Sequence, residues 1–167
     1  MYNLYVSNDQ DTARFILGKE GKRKLFVIGL NPSTANKEKS DTTVAKVEKV
    51  AKLNSFDGFV MANLYPHRST DPSNLPISVD KGLIKRNIEE IRKQASLDSS
   101  PVFWAAWGGN IVTREYLTAA FHQIDALVRE LNGTWVNYGE LLKGGHPRHP
   151  SRLSYSWSFQ NFDPNLY

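Results

Sequence analysis

Lys24 to Leu30 (KLFVIGL) is a short, nearly continuous apolar run behind the basic pair Lys22-Arg23, and it stops at Asn31-Pro32. A run of that length between turn formers predicts a buried strand ending in a loop. Val44, Val47, Val50 and Leu53 then recur at three-residue steps, the apolar stripe of a helix, with Asp41 placed to cap its start. The alternation repeats. Gly58 to Leu64 predicts a second strand and Ile84, Ile88, Ile91 and Ala95 a second helix, joined through the turn-rich stretch Tyr65 to Asp80. Pro101 to Trp107 predicts a third strand, Gly108-Gly109-Asn110 a tight turn, and Leu117, Phe121, Ile124, Val128 and Leu131 a third helix. Gly133 to Tyr138 predicts a fourth strand. Strands alternating with amphipathic helices predict an α/β fold: a single three-layer αβα domain over residues 1–167, with a short, mainly parallel, four-stranded sheet.

In open sheets of this kind the ligand site lies beyond the carboxyl ends of the strands. The segments in that position are rich in polar groups: Asn31-Pro32-Ser33-Thr34-Ala35, then Asn63 to Arg68, then Trp107-Gly108, and finally His146 to Ser154. The expectation is that they converge on one edge.

Composition narrows the chemistry. The chain has 167 residues, 40% of them hydrophobic, which is enough to build a core. It contains no Cys, which excludes disulfides, thiol nucleophiles and the usual structural zinc sites. The net charge is +4 and the pI is about 9.3. That balance permits an anionic partner without establishing nucleic-acid binding. No apolar run approaches the roughly 20 residues that span a bilayer, and Met1-Tyr2-Asn3-Leu4 does not open a secretory leader. A cytoplasmic, monomeric protein without a membrane partner is expected.

Three familiar catalytic signatures are missing: the G-x-S-x-G elbow, the G-x-x-x-x-G-K-[ST] phosphate loop and a G-x-G-x-x-G after the first strand. His146 and His149 are separated by two residues, but each is followed by a proline (Pro147, Pro150) and no carboxylate is close in sequence, so no metal or other cofactor is expected. Taken singly, the remaining polar residues have ordinary readings. Asn31 before Pro32 suits a turn, Asn63 suits a loop backbone, His149 suits a surface loop, and Tyr65, Phe56 and Trp107 suit a core. Taken together, two amides and an imidazole around one pocket suit a nucleobase. Asn offers both a donor and an acceptor, imidazole can donate to a carbonyl oxygen gaining negative charge, and an aromatic ring supplies a stacking face.

At these residues the chain resembles the uracil-DNA glycosylase superfamily. Gly29-Leu30-Asn31-Pro32 is similar to that superfamily's first motif, Asn63 ends a strand like its base-reading Asn, and Phe103 to Gly108 (FWAAWG) is similar to its third strand. His149-Pro150-Ser151-Arg152-Leu153-Ser154 resembles its H-P-S-P-L-S loop, with Arg152 replacing Pro. A second resemblance, running from the first strand to Leu153, is to an uncharacterised bacterial and phage family. Its marks are N-P-S-T-A (Asn31 to Ala35), D-x-T (Asp41, Thr43), N-L-x-x-x-R-x-T-D-P (Asn63 to Pro72), W-G (Trp107-Gly108) and G-x-P-x-H-P (Gly145 to Pro150).

The glycosylase resemblance implies a DNA glycosylase that hydrolyses the bond between DNA and a damaged, deaminated or phage-modified pyrimidine, in repair or phage defence. Asn31 would position the attacking water, Asn63 would read the extruded base and His149 would stabilise the leaving base. Pro32 shapes the first motif, and Tyr65 is a candidate stacking ring. Ser33, Thr34, Arg68, Arg148, Ser151 and Arg152 are candidate contacts to substrate and its phosphates. Leu153 would be the wedge that fills the duplex. Two alternatives stay open: a nucleic-acid-binding module that keeps the pocket without hydrolysis, and an enzyme of free nucleosides or nucleotides that needs no wedge.

Overall fold

The computed structural model describes residues 1–167. It contains β1 (Leu4–Ser7), β2 (Arg14–Lys19), β3 (Lys24–Gly29), α1 (Thr42–Leu53), β4 (Gly58–Asn63), α2 (Lys81–Ala95), β5 (Val102–Ala105), α3 (Glu115–Glu130), β6 (Thr134–Tyr138) and β7 (Phe159–Asn161). The four expected strands are the parallel centre of the sheet, β4-β3-β5-β6, and the three expected helices all form.

The expectation of four strands is corrected to seven, in the order β1-β2-β4-β3-β5-β6-β7. The added strands pair antiparallel, β2 on the outer edge of β4, β1 on β2, and β7 on β6. The sheet is therefore mixed. Each addition covers an edge that would otherwise expose unpaired backbone groups.

Alternation along the strands sorts their side chains onto two faces. On one face Phe26, Ile28, Val60, Phe103 and Ala105 pack with Ile84 and Ile91 of α2 and with Phe121, Ile124 and Val128 of α3. On the other, Leu25, Val27, Phe59, Met61 and Trp104 pack with Val44, Val47 and Val50 of α1. Those are the three layers. The caps follow the sequence: Asp41 Oδ1 accepts from Val44 N at 2.9 Å, and Asp80 Oδ1 accepts from Gly82 N at 2.8 Å. No helix is long and apolar enough to cross a membrane.

Candidate functional site

β3 and β5 run parallel and end side by side, so the chain must leave both strands at the same edge. A cavity of about 550 Å³ lies there. Asn31 and Ser33 reach it from the loop after β3, Ser69 and Thr70 from the loop after β4, and Gly108 to Asn110 from the turn after β5. Arg148, His149, Ser151 and Arg152 close the remaining side. Most of its lining residues are polar or glycine, with Leu30, Trp107 and Leu142 the hydrophobic ones.

The Asn31 amide is fixed by two backbone acceptors. Its Nδ2 donates to Ser69 O at 2.8 Å and to Pro32 O at 3.1 Å. Because both partners are carbonyls, the nitrogen must face them, and no protein donor engages Oδ1. The side chain thus presents an acceptor. Pro32 itself is buried, and its carbonyl also accepts from Ser69 N at 2.9 Å.

His149 precedes a short 3-10 turn, Pro150–Arg152, and caps it: Ser151 N donates to Nδ1 at 3.2 Å, with Ser151 Oγ 2.8 Å from the same nitrogen. An Nδ1 that accepts leaves the proton of the neutral ring on Nε2. Burial lowers the His149 pKa below the ordinary histidine value, partly opposed by the Asp41 carboxylate. The neutral ring therefore offers one N–H donor. Gly108 makes room for it: at φ +74° it adopts the left-handed region, and a Cβ there would lie 3.3 Å from His149 Cβ.

The loop after β3 is held from behind by two guanidinium groups. Arg68 Nη1 donates to Ser33 O at 2.6 Å and Ala35 O at 3.0 Å, while Nη2 reaches Tyr5 Oη at 2.7 Å and Asp11 Oδ1 at 3.0 Å. Arg14 donates to the same Ala35 carbonyl at 3.0 Å. Burial, then the neighbouring Arg68 charge, lowers the Arg14 pKa to about 10, so it remains a cation at neutral pH. Asp41 completes the anchor, its Oδ2 accepting from Ala35 N at 3.3 Å.

Of the residues singled out in the sequence, Asn31, Ser33, Trp107, Arg148, His149, Ser151 and Arg152 line the one cavity. Others lie elsewhere. Asn63 is buried at the end of β4 with neither amide atom hydrogen-bonded, and it packs over Gly29, where a Cβ would stand 2.7 Å from its Oδ1. The Tyr65 ring is in the core against Tyr116, and its hydroxyl accepts from Asp80 N at the start of α2. Arg68 braces the loop, Thr34 is exposed on it, and Leu153 is half-buried against the α1-side core. His146 meets Tyr167, with 2.6 Å between Nδ1 and Oη, and the same hydroxyl accepts from Trp107 Nε1 at 3.0 Å. No group of three His, Cys, Asp or Glu side chains is arranged to hold a metal ion.

Ser69, Thr70, Pro72, Asn110 and Leu142 are cavity residues that the sequence reading did not assign to the site. Ser69 to Pro72 fall inside the N-L-x-x-x-R-x-T-D-P stretch, which was the available signal. Leu142 carried none. It arrives only because Leu142 N donates to His146 O at 2.8 Å and folds the intervening loop back.

A family of proteins of unknown function, DUF1643, matches residues 14–151. No curated protein and no solved structure matches the chain. The matched span contains every residue that lines the cavity except Arg152.

Proposed function

The chain belongs to the DUF1643 family, and for this member we propose hydrolysis of an N-glycosidic bond, removing an altered pyrimidine base from DNA. One observation carries the reading: an Asn31 acceptor and a His149 Nε2–H donor, each fixed by its own backbone partners, line the same polar cavity. Its volume of about 550 Å³ falls within the range of small-molecule sites.

In the proposed step a water held by Asn31 Oδ1 attacks the sugar C1′. The C1′–N bond breaks and its electron pair leaves with the base. His149 Nε2–H donates to a base carbonyl oxygen as that oxygen gains charge, and the proton lost by water ends on the released base. A neutral amide orients water without deprotonating it, so the chemistry is slow beside that of a carboxylate. Hydrogen-bonding contacts to the base come from cavity groups such as Ser69 and Asn110, and Arg148 and Arg152 supply positive charge at the rim. The similarity of the Gly29 to Pro32 and His149 to Ser154 segments to uracil-DNA glycosylase motifs supports the same assignment.

The test is to incubate the protein with oligonucleotides bearing a panel of altered pyrimidines, in single strands and in duplexes. Free base is measured by chromatography, and abasic sites by alkaline cleavage. Release of at least one base supports the reading, and none released from any strand overturns it.

A further inference from the structure

The face between α1 and the segment after His149 has features that the proposed reaction does not use. Lys46, on α1, donates its Nζ to Ser151 O at 2.6 Å, which brings the helix against the cavity rim. Lys49 lies one turn further along the same face and sits over the ring of Tyr155, 4.1 Å from its centroid. Tyr155 is 39% exposed, unusual for a large ring in this chain. Arg152, three residues before Tyr155, is exposed and lines the cavity. None of Lys46, Lys49, Arg148 and Arg152 forms an ion pair with a carboxylate, and Glu48, the one acid of α1, is held by Lys19 and Lys52.

A cationic strip leading from a pocket to a partly exposed aromatic ring suits a strand whose bases are free to stack. Base–aromatic stacking requires an exposed base face, which a duplex hides, while lysines and arginines follow the phosphates without reading sequence. Leu153, in the same segment, packs half-buried against the α1-side core and does not stand out as an apolar wedge.

We propose that this face is a track for unpaired, single-stranded DNA, with a base stacked on Tyr155 and phosphates on Lys46, Lys49 and Arg152. The track delivers the neighbouring nucleotide to the cavity. It rests on the nucleobase reading of that cavity and adds the form of the substrate.

The experiment measures binding of the full chain by fluorescence anisotropy. The probe is a labelled oligo-dT about 12 nucleotides long, within the span of single-strand sites, compared with the same strand annealed to oligo-dA. The single strand is expected to bind at least about tenfold more tightly than the duplex, and Tyr155→Ala to weaken it about 5- to 100-fold, with Tyr155→Trp retaining affinity. Lys46→Ala and Lys49→Ala should each lower the slope of log affinity against log salt by about 0.7. Truncating Tyr155 leaves in place its backbone carbonyl, the acceptor for Tyr138 Oη at 3.3 Å, and unchanged thermal unfolding serves as the folding control. Equal or tighter duplex binding, or a Tyr155→Ala variant that binds oligo-dT like the parent, overturns the track. Oligo-dT has no altered base, so single-strand binding without base release from any substrate supports the track and contradicts the proposed reaction.

Discussion

Asn31 Nδ2 donates to the carbonyl of Ser69 across 2.8 Å, joining the loop after β3 to the loop after β4 through a side chain that also faces the cavity. The bond makes Asn31 structural as well as chemical. Asn31→Asp replaces the donor with an oxygen that faces two carbonyls, and should cost about 1–3 kcal/mol of stability by urea denaturation. Asn31→Ala leaves the same carbonyls without their donor and should cost a similar amount. A midpoint unchanged in both variants would contradict the tie.

The Gly108–His149 contact predicts a second effect. Gly108→Ala forces a side chain into φ +74° with its Cβ 3.3 Å from His149 Cβ. The expected loss is about 1–3 kcal/mol, with displacement of the imidazole. Thermal unfolding reads the first, and the ring's NMR shift reads the second.

These two loops also mark where sequence reading stopped. The central strands and the stripes of α1 to α3 were legible because continuous apolar runs and three- to four-residue spacing report burial directly. β1, β2 and β7 lie outside the strands the sequence predicts: β7 spans only Phe159–Asn161, and β1 is four half-buried residues, whereas β2 does carry a short buried apolar run, Phe15-Ile16-Leu17. Within the site, the loop after β3 and the His149 turn were legible as motifs on one strand edge. The core reading of Tyr65 as a single residue holds, whereas that Arg68 turns beneath its neighbours depends on which face each loop residue presents, which no periodicity fixes.

The His149 pKa predicts a pH dependence. A folded pKa below the unfolded value means that the unfolded chain takes up the proton first as pH falls. Stability from this group is fully present above about pH 6.5, the ordinary histidine value, and declines as pH drops through it toward the depressed folded pKa. Urea midpoints between about pH 8 and 5 should fall less steeply in His149→Gln than in the parent. Protonation places a hydrogen on Nδ1 and displaces the Ser151 N–H that fixes the ring, so base release should fall on the acid side of about pH 6.5 as the ring loses its position.

Arg68 predicts that a cation alone cannot hold the loop. Its fork serves Ser33 O and Ala35 O from one nitrogen and Tyr5 and Asp11 from the other. Arg68→Ala should cost about 1.5–3 kcal/mol or more, and Arg68→Lys should recover little, because an ammonium cannot span both sets of acceptors. Full recovery of the urea midpoint by Lys would contradict the bracing role.

The most direct measurement is the rate of base release by the parent protein, Asn31→Ala and His149→Ala on the best substrate of the pyrimidine panel, each preparation checked for folding. The account predicts measurable release by the parent and a loss of about 100-fold or more in each variant, with His149 acting on the leaving base and Asn31 on the water. Release at parental rate by either folded variant would contradict the pairing of acceptor and donor across this cavity.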